Sequence, residues 1–564
     1  MSFRLLSLYY GHDANLCLLE DGRPALVLEK ERFTRVKHDQ GHLNEILPLV
    51  LREYGWTPAS IDLVVINPYC RATRGGQEFK WDLRGPTYLQ DPDYNRPGWS
   101  GPPEKRISRH EVRLLGRSYD CVAVDHHLAH AAGALFTSPF HEAGILSADG
   151  GGDERYCALA YGRGGRIEWL EYDWGLDRAA DFSLLNIGST WASIGEYNFG
   201  FQRLEGAGKL MGLSSYAAPD PVLVEHVRRH ALYYWFYPFP AMLFGQPLGL
   251  DPKAGFAQKL AAALQEYTRG MYLSAAERLS KLMDTGHLCL TGGCSMNCLA
   301  NTAVHLSGLF QDTYVPAQPH DGGLALGQAL FVWHHLLGHQ RALGSWSPYL
   351  GTAIAGPEPL EAVDEIVQAL LENKTVGLAY GQAESGPRAL GHRTILADPR
   401  RPDIKDHLNN HVKHREWFRP YAPVVLCEHY HEWFEENVPS RYMSYMATVR
   451  PDKRGQVPGV THVDGTARPQ VLEPGHDRLF RAVLERWREE TGVPILLNTS
   501  FNCQEPLVDT EEQALATWRR TGLDVLVTPS GIRYKSAPGR TVRGKVQTAA
   551  AVTPAQVAAG LAGS

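Results

Sequence analysis

The chain has 564 residues, too many for one ordinary hydrophobic core, so two or more domains are expected. Hydrophobic residues at 44% and charged residues at 21% describe a globular protein, and a net charge of −6 excludes a general attraction to nucleic acid or an anionic membrane. No signal-peptide pattern precedes the first strand and no apolar run approaches the ~18–20 residues that span a bilayer, so a cytoplasmic protein with no membrane attachment is expected.

Leu5 to Tyr10 read as a strand, Gly11-His12-Asp13-Ala14-Asn15 as a small polar turn, and Leu16 to Leu19 as the return strand. A hairpin of this shape lets backbone N–H groups approach a phosphate, although a plain β-hairpin has the same pattern. The charged run Glu29 to His38 reads as a solvated helix face or as a place from which Lys37 reaches a phosphate. Residues 71–110 form a long insertion without a period, and Trp81, Tyr88, Tyr94 and Trp99 in it suggest a lid or pocket wall.

Cys121 to Val124 is a short buried strand, followed by Asp125-His126-His127-Leu128-Ala129-His130. Asp125 suits a helix N-cap, and on that helix His126 and His130 project from one face at i and i+4. Such a pair can hold a divalent metal, but the pattern of zinc proteases needs a Glu where His127 stands. A lone pair of this kind is more often structural, so further carboxylates must decide. Ala143 to Ser147 then lead into Ala148-Asp149-Gly150-Gly151-Gly152, a strand ending in a carboxylate and a glycine run that admits a phosphate. Tyr156 to Tyr161 return, and two related strand–turn–strand units suggest a duplicated α/β fold.

Leu204 to Leu213 reads as a Gly-spaced turn entering a helix, and Tyr233 to Phe244 as an aromatic, proline-rich pocket wall or core cover. Ala254 to Met283 is helical. Leu288 to Asn297 is strand, Gly292-Gly293 turn and helix start, and His320-Asp321-Gly322-Gly323 opens an apolar helix over Leu324–Trp333, with Asp321 at its N-terminus. The nine cysteines are scattered, as for reduced thiols, and Cys294 and Cys298 read as small packing residues.

Ser, Pro and Gly in residues 345–359 mark the domain boundary. Helix Leu360–Glu372 and strand Thr375–Ala379 begin the next domain. Arg388, Lys405, Lys413, Arg415, Arg419 and Arg468 concentrate positive charge in an acidic chain, which suits a concave anion site or a solvated basic surface. Asn498 to Asn502 offer neutral hydrogen-bonding groups after strand Val493–Leu497. The tail from Gly544 is Ala-, Val- and Gly-rich, a frayed end or a packing helix.

Taken together, Gly11 to Ala14, Glu31 to His38, His126 to Ala132, Lys209 to Leu213, Thr291 to Cys298, His320 to Gly323, Glu384 to Arg393, Leu408 to Pro420, His462 to Arg468 and Asn498 to Asn502 resemble the O-carbamoyltransferase family of nodulation and antibiotic biosynthesis. The resemblance implies a duplicated actin-like α/β N-terminal domain (1–348), an α+β YrdC-like domain (349–542) and a tail (543–564). It implies that carbamoyl phosphate and ATP give carbamoyl-adenylate in the second domain, with Mg²⁺ on the ATP. The carbamoyl group then passes to a hydroxyl of a small secondary metabolite at a metal site in the first. Arg388, Lys413, Arg419 and Arg468 would bind the anions, with Arg388 and Arg468 catalytic, and Asn498, Ser500 and Asn502 would hold the carbamoyl end. His126, His130, Asp149 and Asp321 would hold the metal, iron(II) by family analogy. Lys37, Gly150, Gly151, Lys209, Gly292, Gly293 and Asn297 would hold the nucleotide there, with Lys37 also catalytic and His12 the base for the acceptor hydroxyl. Gln382 stands where an Arg is usual and Cys294 where an aliphatic residue is common. A homodimer is one assembly the resemblance allows. A tRNA threonylcarbamoylation enzyme, which the acidic balance disfavours, and an actin-like kinase or ATPase are the alternatives.

Overall fold

The computed structural model describes residues 2–67, 72–74, 77–79, 83–84, 107–152, 155–173, 187–231, 239–246, 248–341, 343 and 346–535. Most of the 71–110 insertion with its four named aromatics, the stretch 232–238 and the tail lie outside them. Two sheets in the N-terminal part share one strand plan. In the first, β1 (Arg4–Tyr9), β2 (Asn15–Glu20) and β3 (Arg23–Glu29) form an antiparallel meander, and α1 (Lys30–Thr34) follows. β4 (Leu63–Ile66) adds parallel to β1, and β5 (Ile107–Leu114) pairs with β6 (Arg117–Val124), which lies parallel to β4.

From β6 the chain enters α2 (His126–Thr137), then the second meander, β7 (Glu142–Gly152), β8 (Arg155–Arg163) and β9 (Arg166–Asp173). After α3 (Ile187–Ser193), α4 (Arg203–Leu213) and α5 (Gly255–Leu282), β10 (His287–Thr291) lies parallel to β7. α6 (Cys298–Leu306) leads to β11 (Asp312–Tyr314), parallel to β10. The orders β3-β2-β1-β4-β6 and β9-β8-β7-β10-β11 are the same arrangement made twice. Both faces of β1 are covered: Leu5 and Tyr9 join one apolar cluster, Leu6 and Leu8 another. That double burial explains why the strand reads as a continuous apolar run rather than an alternating one.

The two repeats meet where α2 packs on α7 (Leu324–Leu330). Gly133 and Gly327 face each other there, and a Cβ at Gly327 would lie 2.0 Å from the Ala129 carbonyl oxygen. Gly327→Ala should therefore force the helices apart and destabilise the chain by roughly 1–3 kcal/mol, read by urea unfolding; an unchanged midpoint would contradict this packing account.

The C-terminal part is built on one mixed sheet. β12 (Val376–Ala379), β13 (Arg393–Ala397), β14 (Ala422–Leu426), β15 (Gln470–Leu472), β16 (Ile495–Ser500), β17 (Val525–Thr528) and β18 (Gly531–Tyr534) lie in the order β15-β14-β16-β13-β12-β17-β18. α8 (Val363–Leu371) and α9 (Arg478–Thr491) bury Ile366, Leu370, Phe480 and Trp487 on one face, and α10 (Glu511–Arg520) precedes β17. The other face continues an apolar cluster that begins on α5 and α6, so the two parts of the chain share one core.

Four local expectations are corrected. Leu204 to Leu213 is helix throughout, because Gly206 packs on Gly195, where a Cβ would stand 3.2 Å from the neighbouring Cα. Asn498 and Ser500 lie within β16 rather than after it, held by pairing with β13. The helix opened by Asp321 is α-helical only to Leu330 and continues as π-type turns over Phe331–Leu336. The charged run after β3 is no solvated face: Glu29, Lys30 and Arg32 are buried, and Arg32 Nη2 donates to Gly386 O at 2.6 Å in the other half of the chain. Among the described residues no helix is long and apolar enough to cross a membrane.

Candidate functional site

The apolar strand β6 delivers the chain to Asp125, whose carboxylate caps α2 by accepting from Leu128 N at 3.0 Å. The cap sets the helix phase, so His126 and His130 both point toward the ends of β7 and of the 321–323 turn. His127 points elsewhere, to Ser147 Oγ at 2.8 Å, and burial pushes its imidazole down to about 3, which keeps it neutral. That bond ties α2 to β7 two residues before Asp149, on the same face of the strand.

His126, His130, Asp149 and Asp321 thus form one cluster, each no more than 4% exposed. His130 Nε2 lies 3.1 Å from Asp149 Oδ2 and 3.4 Å from Asp321 Oδ1; His126 Nε2 lies 3.9 and 3.7 Å from the same atoms. Ligands about 2.1 Å from a common ion stand about 3–3.5 Å apart, so a small contraction would accommodate a divalent cation. His130 Nε2 and Asp321 Oδ1 are buried without a hydrogen bond. Two carboxylates and two imidazoles supply the charge and the donors such an ion needs. Burial would raise Asp149 and Asp321, but the facing histidines outweigh it and hold both below the usual carboxylate range.

Backbone N–H groups from both glycine turns hold the Asp149 carboxylate of this cluster. Gly150 N and Gly293 N donate to the two Asp149 oxygens at 2.5 and 2.6 Å. A Cβ at Gly152 would strike the His126 ring at 2.2 Å, and Gly150 packs on Gly188 of α3. Gly292, at φ +85°, lies against the Ala148 carbonyl, and Gly151 has φ +133°. Asn297 Oδ1 caps α6 through Ala300 N, and its amide pairs with Gln265. Lys37 and Lys209 share Glu205, at 2.8 and 3.6 Å, and Lys209 also reaches Glu416 at 2.7 Å across to the C-terminal part.

His12 sits at the rim, with Nδ1 3.0 Å from Asp13 and Nε2 3.4 Å from Asp321. Burial disfavours its charged form, yet Asp321 and Asp13 overcome this and raise it to about 10. The base expected from the sequence requires that Asp321's charge first be offset by a cation.

In the C-terminal part, Glu384 Oε1 accepts from Leu390 N and His392 N at 2.7 and 2.9 Å and so curls the loop that carries Arg388. The same loop is held to the N-terminal part at Gly386, where a Cβ would lie 2.5 Å from Ala317 O. Burial pushes Arg388 down to about 9, and Arg468 and Arg419 push it further in the same direction; no carboxylate opposes them. Burial and Arg419 likewise lower Arg468, whose Nε is buried without a hydrogen bond. Three neighbouring guanidinium groups, of which Arg419 also lies 3.7 Å from Glu416, suit an anion. Cys298, at the start of α6, is buried beside Arg388 and Arg468.

Lys413 adjoins Arg415 and Arg419 and is itself buried. Its ammonium donates to Ser500 O, Asn502 O and Asn502 Oδ1 at 2.6, 2.8 and 2.5 Å, and burial holds it well below the ordinary lysine range. Ser500 and Asn502 are thereby committed to Lys413. Asn498 Nδ2 bonds Ala389 O and Gln470, which braces the Arg388 loop from behind. Arg415, stacked over Tyr421 at 4.1 Å, adds a further cation.

Residues 5–101, 103–234 and 240–330 match a family model described as Carbamoyltransferase N-terminus, and residues 367–533 one described as Carbamoyltransferase C-terminus. The uncharacterized protein sll1178 of Synechocystis sp. is 30% identical over 617 residues, covering 94% of this chain and 96% of that one. Nodulation protein NolNO of Sinorhizobium fredii is 30% identical (92% of this chain, 78% of that one), and nodulation protein U of Bradyrhizobium diazoefficiens 29% (92% and 95%). Among solved structures, full-length HypF in its phosphate- and nucleotide-bound form aligns with 61% of this chain and 47% of its own at 13% identity and a TM-score of 0.33. A likeness that slight bears no weight here.

Proposed function

The chain belongs to the carbamoyltransferase family and is an enzyme of that kind, and from that premise we propose that it is an ATP-dependent O-carbamoyltransferase working in two separate sites. In the first, within 349–542, carbamoyl phosphate is hydrolysed to carbamate and phosphate, and a carbamate oxygen attacks the α-phosphorus of Mg²⁺-ATP. The α–β bridge breaks, pyrophosphate leaves, and carbamoyl-adenylate remains. Arg388, Arg419 and Arg468 neutralise the charge that builds on the phosphates, and phosphoryl chemistry of this kind depends above all on such neutralisation. The observation that carries this reading is the Arg388–Arg468 pair, half-buried and close enough that Arg468 disfavours the charged form of Arg388.

In the second site, within 1–348, the hydroxyl oxygen of a small-molecule acceptor bonds to the carbamoyl carbon, the carbon–oxygen bond to AMP breaks, and the hydroxyl proton is taken up. A divalent ion held by His126, His130, Asp149 and Asp321, iron(II) by family analogy, supplies Lewis acidity when bound. His12, at the rim, takes up that proton as the base once a bound cation offsets the charge of Asp321. The duplicated strand plan supports an actin-like architecture for this part, and the mixed sheet with helices on one face supports the α+β reading of the other. Product analysis tests the scheme: AMP and pyrophosphate should form only when carbamoyl phosphate is supplied. Release of ADP without it would identify an actin-like kinase or ATPase instead.

A further inference from the structure

Binding of a cation by His126, His130, Asp149 and Asp321 requires that something turn Asp321 toward the two imidazoles. Strand parity brings the residue that does so. On β1, Leu5, Ser7 and Tyr9 face α2 and α7, where Leu5 and Tyr9 join the apolar cluster and Ser7 Oγ donates to Gln328 Oε1 at 3.1 Å. Tyr9 is the last residue of that face and only 5% exposed, and its ring centroid lies 6.3 Å from that of His126. Its hydroxyl donates to Asp321 Oδ2 at 2.6 Å.

The ring takes this path because residue 11 is glycine. A Cβ at Gly11 would stand 2.1 Å from Tyr9 Oη and 2.4 Å from its Cζ. Gly11 has no positive φ to explain it, so the space is its function. The two oxygens of Asp321 are divided as a result. Oδ2 carries the phenol and lies 3.4 Å from His12 Nε2, while Oδ1 is buried without a hydrogen bond, 3.4 Å from His130 Nε2. A carboxylate with one oxygen engaged in this way presents the other alone.

We propose that Tyr9 is a positioning residue that holds Asp321 as a one-oxygen ligand of the buried cation, and that Gly11 keeps the path of its ring open. The inference rests on the metal reading and is separable from it. The test uses the full chain stripped of metal and titrated with cobalt(II), whose visible absorption reports coordination geometry. Tyr9→Phe keeps the ring and removes the hydroxyl. It should weaken cobalt binding about 10–100-fold and alter the spectrum, with the circular dichroism unchanged. Gly11→Ala should weaken binding in the same direction by displacing the ring, and should cost no stability in a Tyr9→Ala background, where the atoms it would strike are gone. Wild-type affinity and spectrum in Tyr9→Phe would overturn the assignment and leave Tyr9 a core residue. A wild-type chain that takes up no cobalt would remove the metal reading, and this inference with it.

Discussion

His130→Ala should lower acceptor carbamoylation by about 10²–10³-fold while carbamoyl-phosphate-dependent pyrophosphate release continues. His130 makes the two shortest imidazole–carboxylate approaches in the cluster, 3.1 Å to Asp149 and 3.4 Å to Asp321. Without it two buried carboxylates face each other with one imidazole between them, and cation affinity falls with the lost donor. The thermal midpoint should fall as well, since that charge is left uncompensated. The arginine loop rests on other contacts, Glu384 within its own domain and Arg32 from α1, so activation is spared. Equal loss of both steps would mean that α2 holds the fold and not a transfer site.

Arg468→Ala should stop pyrophosphate release, and Arg388→Met should do so while raising the thermal midpoint. Burial and two neighbouring guanidinium groups depress Arg388 to about 9 in the folded chain, whereas the unfolded chain keeps the ordinary arginine value. Between those values the unfolded state binds more protons, so stability rises with pH through that window. At neutral pH the full cost is present, and replacing the cation relieves it. A gain of roughly 2–4 °C is expected, a trade of stability for activity. Pyrophosphate should stabilise the wild type and have little effect on Arg388→Met, because an anion that binds only the folded chain shifts its midpoint through mass action. A lowered midpoint together with retained pyrophosphate release would mean that these arginines brace the fold.

Much of this was legible locally. The cap at Asp125, the i, i+4 spacing of the two histidines and the Asp-Gly-Gly-Gly strand end are short-range signals, and each forms as the local chemistry requires. What was not legible is the partner across the fold. Glycine announces a close approach without saying of what: Gly152, in a run that suggested phosphate, makes room for the His126 ring, and Gly293 donates to Asp149. Lys37 and Lys209 were expected at a nucleotide, and nothing local announces that Glu205 and Glu416 meet them from 168 and 207 positions away. Tyr9 sits in an apolar strand and reads as core, and only the third dimension brings it to Asp321, 312 positions on.

The two-site claim is tested most directly by stripping the wild-type chain of its resident metal, restoring only Mg²⁺, and following pyrophosphate and carbamoylated acceptor together from labelled carbamoyl phosphate. Pyrophosphate should still be released while the acceptor stays unlabelled, and added iron(II) should restore labelling. Loss of both products on stripping, or labelling that continues without the metal, would contradict the account.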